Sequence, residues 1–367
     1  YLDSEGRSFL VVTRKGGLRP ERYCVEARDW HAPVSAPLLA HFADWLQSPD
    51  RCQDGIQEMY VAPAFSGPAL ALAQRRGILA VTPAQLERQL FDFGPYLERI
   101  KRQFEESDLS RAYIPQALLG QPQERDLLAV ANAWSEGQGR KLWLVLGDYG
   151  TGKSVFFRHF SYGLARAAMD DPAAPVPIAI DLKEFPNAVP LKGLLQEHFR
   201  TTLAWHGDPG IFLHLLSVGR AVLLLDAFDK MGTAALVCGM EEQFRQLARA
   251  AQGRGEDPRS NRVLITCRTH FFRDHGQLAE LGDTIGGQVD SHLGEVACSL
   301  DAEMDELALF DRHRIELYLE QALGAGSSAE ALRIIDDTYD LANLVSRSVR
   351  LEMVAQDLPA LIDSGET

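Results

Sequence analysis

The sequence predicts an α/β chain in two parts followed by helices. Three observations carry that expectation: strands alternate with helices from about residue 9 to 90, a second set of apolar strands surrounds one glycine-rich loop, and helical spacing alone continues from about residue 309. At 367 residues the chain exceeds what one hydrophobic core usually serves, so several domains are expected. Its 46% hydrophobic and 24% charged residues are those of a globular protein. The strongest apolar run, Ala221-Val-Leu-Leu-Leu225, is strand-length, far below the roughly 18 residues of a membrane span. No membrane role is expected. The first residue is Tyr1 and the polar end Asp363-Ser-Gly-Glu-Thr367 is too short to cap a domain, so the chain is expected to be a piece of something longer.

In the first part, Phe9-Leu-Val-Val-Thr13 and Tyr23-Cys-Val-Glu26 read as strands around the Gly16-Gly17 turn. Leu38, Leu39, Phe42, Trp45 and Leu46 recur at helical spacing. Met59-Tyr-Val61 and Gly77 to Thr82 read as further strands, with helices over Pro68–Gln74 and from Pro83 toward Leu90. Charged, helical residues from about Phe93 to Leu119, broken at Pro115 and Gly120-Gln-Pro122, read as a linker.

The second part opens with the strand Lys141-Leu-Trp-Leu-Val-Leu146, running straight into the glycine-rich loop and then a helix from Val155 to Ala168. Val176 to Asp181, Ala221 to Asp226 and Val263 to Cys267 are apolar strands of the kind buried on both faces of a parallel sheet. Gln252 to Asn261 reads as a surface loop on composition. Helices are expected around Ile315–Leu319, Leu332–Leu344 and Leu351–Val354.

The loop Gly147-Asp-Tyr-Gly150-Thr151-Gly152-Lys153-Ser154 matches the phosphate-loop pattern and lies between a strand and a helix. Its glycines permit the tight path that turns N–H groups toward phosphate oxygens, and the new helix adds its positive end. Lys153 is expected on the β- and γ-phosphates and Ser154 on Mg²⁺. Asp226, delivered at the tip of an apolar strand, is the expected second magnesium anchor. Asp229 would orient or polarise a water, and Thr266 and Arg268 end a strand that can place a polar donor beside the γ-phosphate, with Arg268 as its sensor.

Together, Gly-Asp-Tyr-Gly-Thr-Gly-Lys-Ser, Leu-Leu-Leu-Asp-Ala-Phe-Asp and Ile-Thr-Cys-Arg-Thr-His-Phe-Phe resemble the NACHT family of signal-transduction ATPases, over about Leu127 to Val354. The resemblance implies ATP and Mg²⁺ binding, ATP/ADP-gated homo-oligomerisation, a helical domain after the core and a carboxy-terminal sensor, which this chain does not contain. Two positions depart from the pattern. The acidic motif reads Asp226-Ala-Phe-Asp-Lys230, so a cation stands where the family commonly has a glutamate, and hydrolysis is expected to be slow while binding survives. The stretch Leu344–Met353 has no proline where the family often offers one to adenine.

Glu26-Ala-Arg28 ends a predicted strand, and such an acid and cation suit one half of a metal-dependent nuclease site as well as an ordinary exposed strand. With Tyr23–Trp30, Met59–Ser66 and Gly77–Leu86 around it, the region from Phe9 to Leu90 resembles the Mrr-like branch of restriction-endonuclease-like domains. That implies Mg²⁺-dependent cleavage of double-stranded DNA, with Glu26 as a metal ligand and Arg28 as the catalytic cation. The family's earlier aspartate falls near Ser8 and Phe9, with Asp3 the nearest carboxylate, and Arg28 replaces a lysine.

The expected organisation is therefore a restriction-endonuclease-like effector at 1–95, a helical linker at 96–125, a NACHT phosphate-loop core at 126–305 and a helical domain at 306–367. The ten histidines show no zinc spacing, the five cysteines never pair as Cys-x-x-Cys, and the net charge of −14 argues against a globally basic nucleic-acid surface. The cysteine pattern suits the cytoplasm. The expectation is a cytoplasmic antiphage-defence switch that responds to a phage-derived trigger and assembles to activate an endonuclease; the alternative is a regulatory NTPase whose first domain only binds DNA or a protein partner.

Overall fold

A computed structural model describes residues 10–14, 21–27, 32–46, 56–107, 113–120, 126–185, 190–231, 239–253, 255, 257–272, 292–338 and 340–364. The chain forms two compact units, Tyr1–Asp92 and Phe93–Thr367.

In the first unit, β1 (Leu10–Arg14) and β2 (Glu21–Ala27) pair antiparallel. Helix α1 (Ala36–Leu46) carries the chain to β3 (Ile56–Val61), and α2 (Gly67–Arg76) carries it to β4 (Leu79–Val81); both new strands join parallel, in the order β1-β2-β3-β4. A final helix α3 (Pro83–Leu90) follows. Local chemistry fixes these boundaries. Ser66 caps α2 by accepting from Ala69 N, and Gly77 ends it at φ +71°. Thr82 and Gln85 cap each other's backbone at the start of α3. The two sheet faces separate by alternation: Cys24 and Tyr60 pack with Leu39, Phe42 and Ala73, while Met59, Val61 and Val81 pack with Val25 and Leu86.

The second unit begins with α4 (Gly94–Glu105), then α5 (Leu127–Ser135), β5 (Leu142–Leu146), α6 (Lys153–Asp170) and β6 (Val176–Asp181). Next come α7 (Leu191–Leu203), α8 (Gly210–Ser217), β7 (Ala221–Asp226), α9 (Gly239–Ala248) and β8 (Arg262–Cys267). The helix His292–Ser299 leads to β9 (Glu303–Glu306), and helices Arg312–Leu323, Ala325–Asp337, Leu341–Val345 and Ser348–Ser364 form a bundle. The five strands are parallel in the order β6-β7-β8-β5-β9. All residues of β5, β7 and β8 are buried, as their apolar runs required.

Two sequence expectations are corrected here, and one strand that the sequence did not announce is added. The part of the expected 96–125 linker that forms α4 packs into the second unit: Tyr96, Leu97 and Phe104 are buried, Tyr96 packs on His198 and Phe199, and Phe104 stacks on Tyr162 of α6. Its charged residues had masked that apolar stripe. The loop at 252–261 is not a surface loop throughout, because Ser260 and Asn261 are buried and Lys141 donates to Gly255 O and Ser260 Oγ. The acidic Glu303-Met-Asp-Glu306 is a strand, held at the sheet edge by β5, where Trp143 Nε1 donates to Asp305. An edge strand can carry charges that a central one cannot.

Candidate functional site

The carboxyl end of the parallel sheet gathers most of the residues expected to act. Strand β5 is apolar to its last residue, then Gly147 N donates to Cys267 O of β8 at 3.2 Å and the chain turns out of the sheet. A side chain at 147 would come within 2.6 Å of Thr151 Oγ1, so the turn needs a glycine. Gly150 and Gly152 have φ +82° and +95°, a region costly for other residues, and α6 starts at Lys153. This is the strand, loop and helix of an anion-binding nest.

Lys153 is drawn into the nest. Its Nζ donates to the carbonyls of Gly147 (2.5 Å) and Asp148 (2.8 Å), and burial lowers its pKa from the ordinary lysine value, with the carboxylates of Asp229, Asp226 and Asp148 among the groups opposing the shift. Ser154, one residue on, donates from Oγ to Asp226 Oδ2 at 2.8 Å. Asp226 is 3% exposed and its other oxygen accepts from Thr266 Oγ1 at 2.5 Å. Thr266 in turn accepts from Ala227 N at 2.9 Å. Strand β8 lies between the strand bearing the loop and the strand bearing the acid, so one hydroxyl on it can aim the carboxylate.

The other expected residues are rearranged by this geometry. Thr266 is fully buried against Asp226 and does not present a free donor at the strand end. Arg268 Nε lies 2.9 Å from Asp229 Oδ2, and Lys230 Nζ lies 4.0 Å from the same oxygen. Asp229 therefore faces two cations. His270 is also near, its pKa lowered by burial and by Arg268. Ala227 takes φ +60°, the left-handed region, between Asp226 and Phe228.

Ser154 and Asp226 supply two hard oxygen donors, suited to a magnesium ion that keeps several waters. Among the described residues no group of three or more His, Cys, Asp or Glu side chains gathers to hold a metal. In the first unit, Glu26 is buried near the end of β2, in register with Tyr60 of β3 and on the face that carries Cys24. Arg28, Ser8, Phe9 and Asp3 lie outside the described residues.

Sequence reasoning missed the residues that hold the loop from outside. Gln116 Nε2 donates to Gly152 O at 3.1 Å and Thr151 O at 3.4 Å. Arg347 Nη1 donates to Tyr149 O at 3.2 Å, and Ser348 Oγ to Gly150 O at 3.0 Å. No motif signals them, because each acts on backbone from far along the chain.

No protein-family model matches the chain. An uncharacterised WD repeat-containing protein of Nostoc sp. is 23% identical over 291 residues, which is 73% of this chain and 18% of that protein. The chain thus spans less than a fifth of the length of that curated relative. Among solved structures, Cdc6p of Pyrobaculum aerophilum has a TM-score of 0.38 at 13% identity, covering 70% of this chain and 66% of that one. The Orc1 protein of Aeropyrum pernix, in complex with DNA, has 0.34 at 14%, covering 64% and 63%. AMPPCP-bound DnaA of Aquifex aeolicus has 0.31 at 15%, covering 61% and 64%. TM-scores this low carry no argument about function. No helix of the described residues is long and apolar enough to cross a membrane.

Proposed function

We propose that this chain is an ATP-binding switch of the NACHT type, in which the nest at Gly147–Ser154 takes the phosphates and Ser154 with Asp226 takes Mg²⁺. The single observation that carries the reading is the 2.8 Å bond from Ser154 to Asp226, which brings the start of the loop helix and the tip of β7 together as a pair of oxygen donors suited to magnesium. Magnesium would supply charge neutralisation between the phosphate oxygens. Lys153 supplies a point charge, and its half-buried ammonium, hydrogen-bonded to the carbonyls of Gly147 and Asp148, is poised to exchange them for phosphate oxygens.

Hydrolysis is proposed to be slow. A water-activating base must be free to accept a proton, and Asp229 is instead paired with Arg268 and flanked by Lys230. Such a site holds a nucleotide longer than it turns one over, which suits a two-state switch whose γ-phosphate contacts differ between states. Arg268 would leave Asp229 for the γ-phosphate in the ATP-bound form.

The first unit is proposed to be the effector, a Mg²⁺-dependent endonuclease brought together on double-stranded DNA when nucleotide drives homo-oligomerisation. Support comes from the parallel β2-β3-β4 arrangement with an antiparallel β1 and from a buried carboxylate, Glu26, at the end of β2. The second reading, a first unit that only binds DNA or a protein partner, is favoured by Ser8 and Phe9, where the resemblance places an aspartate. The setting proposed is antiphage defence in the cytoplasm, with a phage-derived trigger sensed elsewhere in the protein.

Titration of ATP and ADP with Mg²⁺ into the protein and into Lys153→Ala tests the core of this reading. Loss of about tenfold or more in affinity is expected on removing the charge. Equal affinities would overturn the assignment. Mg²⁺-dependent cutting of duplex DNA that disappears in Glu26→Ala would separate the two readings of the first unit.

A further inference from the structure

Four successive carbonyls of the loop, those of Tyr149, Gly150, Thr151 and Gly152, each accept a hydrogen bond from a donor outside it. Arg347 Nη1 reaches Tyr149 O (3.2 Å), Ser348 Oγ reaches Gly150 O (3.0 Å), and Gln116 Nε2 reaches Thr151 O (3.4 Å) and Gly152 O (3.1 Å). Val349 N also points to Gly150 O at 3.4 Å. A trans peptide is planar, with its C=O and the following N–H on opposite sides. Holding these four carbonyls therefore aims the N–H groups of Gly150, Thr151, Gly152 and Lys153 the other way, into the nest. Of these, Thr151 N–H also closes a long 3.4 Å turn bond to Asp148 O.

The donors are built into the fold. Gln116 is 2% exposed and its amide lies against Gly152, where a Cβ would stand 1.9 Å from Gln116 Nε2 and push it out of this position. Its Oε1 is buried without a hydrogen-bond partner among the described residues, a cost accepted for the two bonds its amide nitrogen makes. Arg347 and Ser348 stand at the start of the last helix of the bundle, whose core residues Leu351 and Ala355 pack with Ile114, two residues before Gln116. The two arms thus share one hydrophobic cluster.

We propose that Gln116, Arg347 and Ser348 are positioning residues that preorganise the phosphate-binding amides from behind and couple occupancy of the nest to docking of the helical bundle. This rests on the nucleotide reading above. Phosphate oxygens draw the amides inward, which turns the carbonyls further toward their donors, so bound phosphate strengthens the seating of the bundle. Linkage makes the effect reciprocal: releasing the bundle weakens nucleotide binding by the same factor.

The test uses the whole chain, with ADP and a non-hydrolysable ATP analogue, each with Mg²⁺, as probes. Nucleotide affinity is measured by titration, and amide hydrogen exchange is followed across residues 345–355. In the unmodified protein, nucleotide is expected to slow exchange there, and in Arg347→Ala/Ser348→Ala both that protection and the affinity should fall, the latter about fivefold or more. Ser348→Thr keeps the hydroxyl and should keep both, a rescue that a merely structural role for the helix would not show. Gln116→Glu, which turns a donor into an acceptor facing two carbonyls, should weaken affinity further. Should it fold poorly, the Ser348 pair of variants decides. Nucleotide binding that is unaltered in these variants, with exchange at 345–355 indifferent to nucleotide, overturns the coupling and leaves the nucleotide reading standing. If the unmodified protein binds neither probe, both fall.

Discussion

Arg268 Nε sits 2.9 Å from Asp229 Oδ2, joining a side chain 30% exposed to a carboxylate that is 5% exposed. The pair bridges the ends of two adjacent strands, β8 and β7, at the mouth of the nest. Lys230 approaches the same oxygen at 4.0 Å, on a side chain nearly half open to water, and the Lys153 ammonium also acts on Asp229 electrostatically. Of these cations the arginine makes the closest contact with the buried carboxylate.

Removing that arginine should cost more than removing both partners. Arg268→Ala leaves a buried charge poorly compensated, for which about 3–5 kcal/mol is typical; the arginine's exposure lowers the expectation here to about 1–3 kcal/mol. The double variant Arg268→Ala/Asp229→Ala should recover part of the loss. Urea denaturation of the two single variants and the double decides it, and an Arg268→Ala protein that unfolds at the same urea concentration as the original would remove Asp229 from dependence on it.

Ala227 offers a stabilising change. Its φ of +60° is left-handed, at a cost of about 1–2 kcal/mol for a residue with a Cβ. Its N–H is held by Thr266, so the conformation is fixed by the strand beside it. Ala227→Gly should relieve the strain, less the roughly 0.4–1 kcal/mol that glycine forfeits in the unfolded chain, for a net gain of about 0.5–1 kcal/mol. A calorimetric melt should show Tm rising by a few degrees; a fall would mean that the buried methyl outweighs the backbone.

Acid should weaken the second unit through His198. The ring is buried between Tyr96 and Phe199, with Tyr96 Oη 3.0 Å from Nε2, and burial, aided by the charge of Arg99, pushes its pKa down to about 4. The unfolded imidazole takes up a proton near pH 6.5 while the folded one refuses it until about 4, so the unfolded state binds more protons across that window. Stability is therefore present above pH 6.5 and is lost as the pH falls toward 4, by up to about 3 kcal/mol. Replacing His198 with Phe should flatten the fall in stability between pH 6.5 and 4. An unchanged slope would assign acid sensitivity to other groups.

Much of this site was legible in the sequence because its signals are local. The glycines of the loop and the apolar run ending in Asp226 describe a strand and turn that only a few residue types can make, and Ser154 and Asp226 meet as that pattern implies. What stayed hidden depends on contacts across the chain. Gln116 and Ser348 lie 36 and 198 residues from the carbonyls they hold, and an amide or hydroxyl bonded to backbone leaves no spacing to read. The strand Glu303–Glu306 was hidden for another reason: its four residues are acidic or sulfur-bearing, and only pairing with β5 makes them a strand. Thr266 was legible as a strand-end hydroxyl, but which carboxylate it would meet was set by the order of the sheet.

The helix Gly94–Glu105 also bears on where the second unit can be cut. It follows the boundary between the two units immediately, yet Phe93 packs on Phe212, Tyr96 on Phe199 and Phe104 on Tyr162. A truncation that begins the second unit after Glu105 would strip these rings from it and open its core. One that begins at Phe93 keeps these three contacts. The aromatic residues Phe93, Tyr96 and Phe104 thus mark where the second unit must begin if its core is to stay closed.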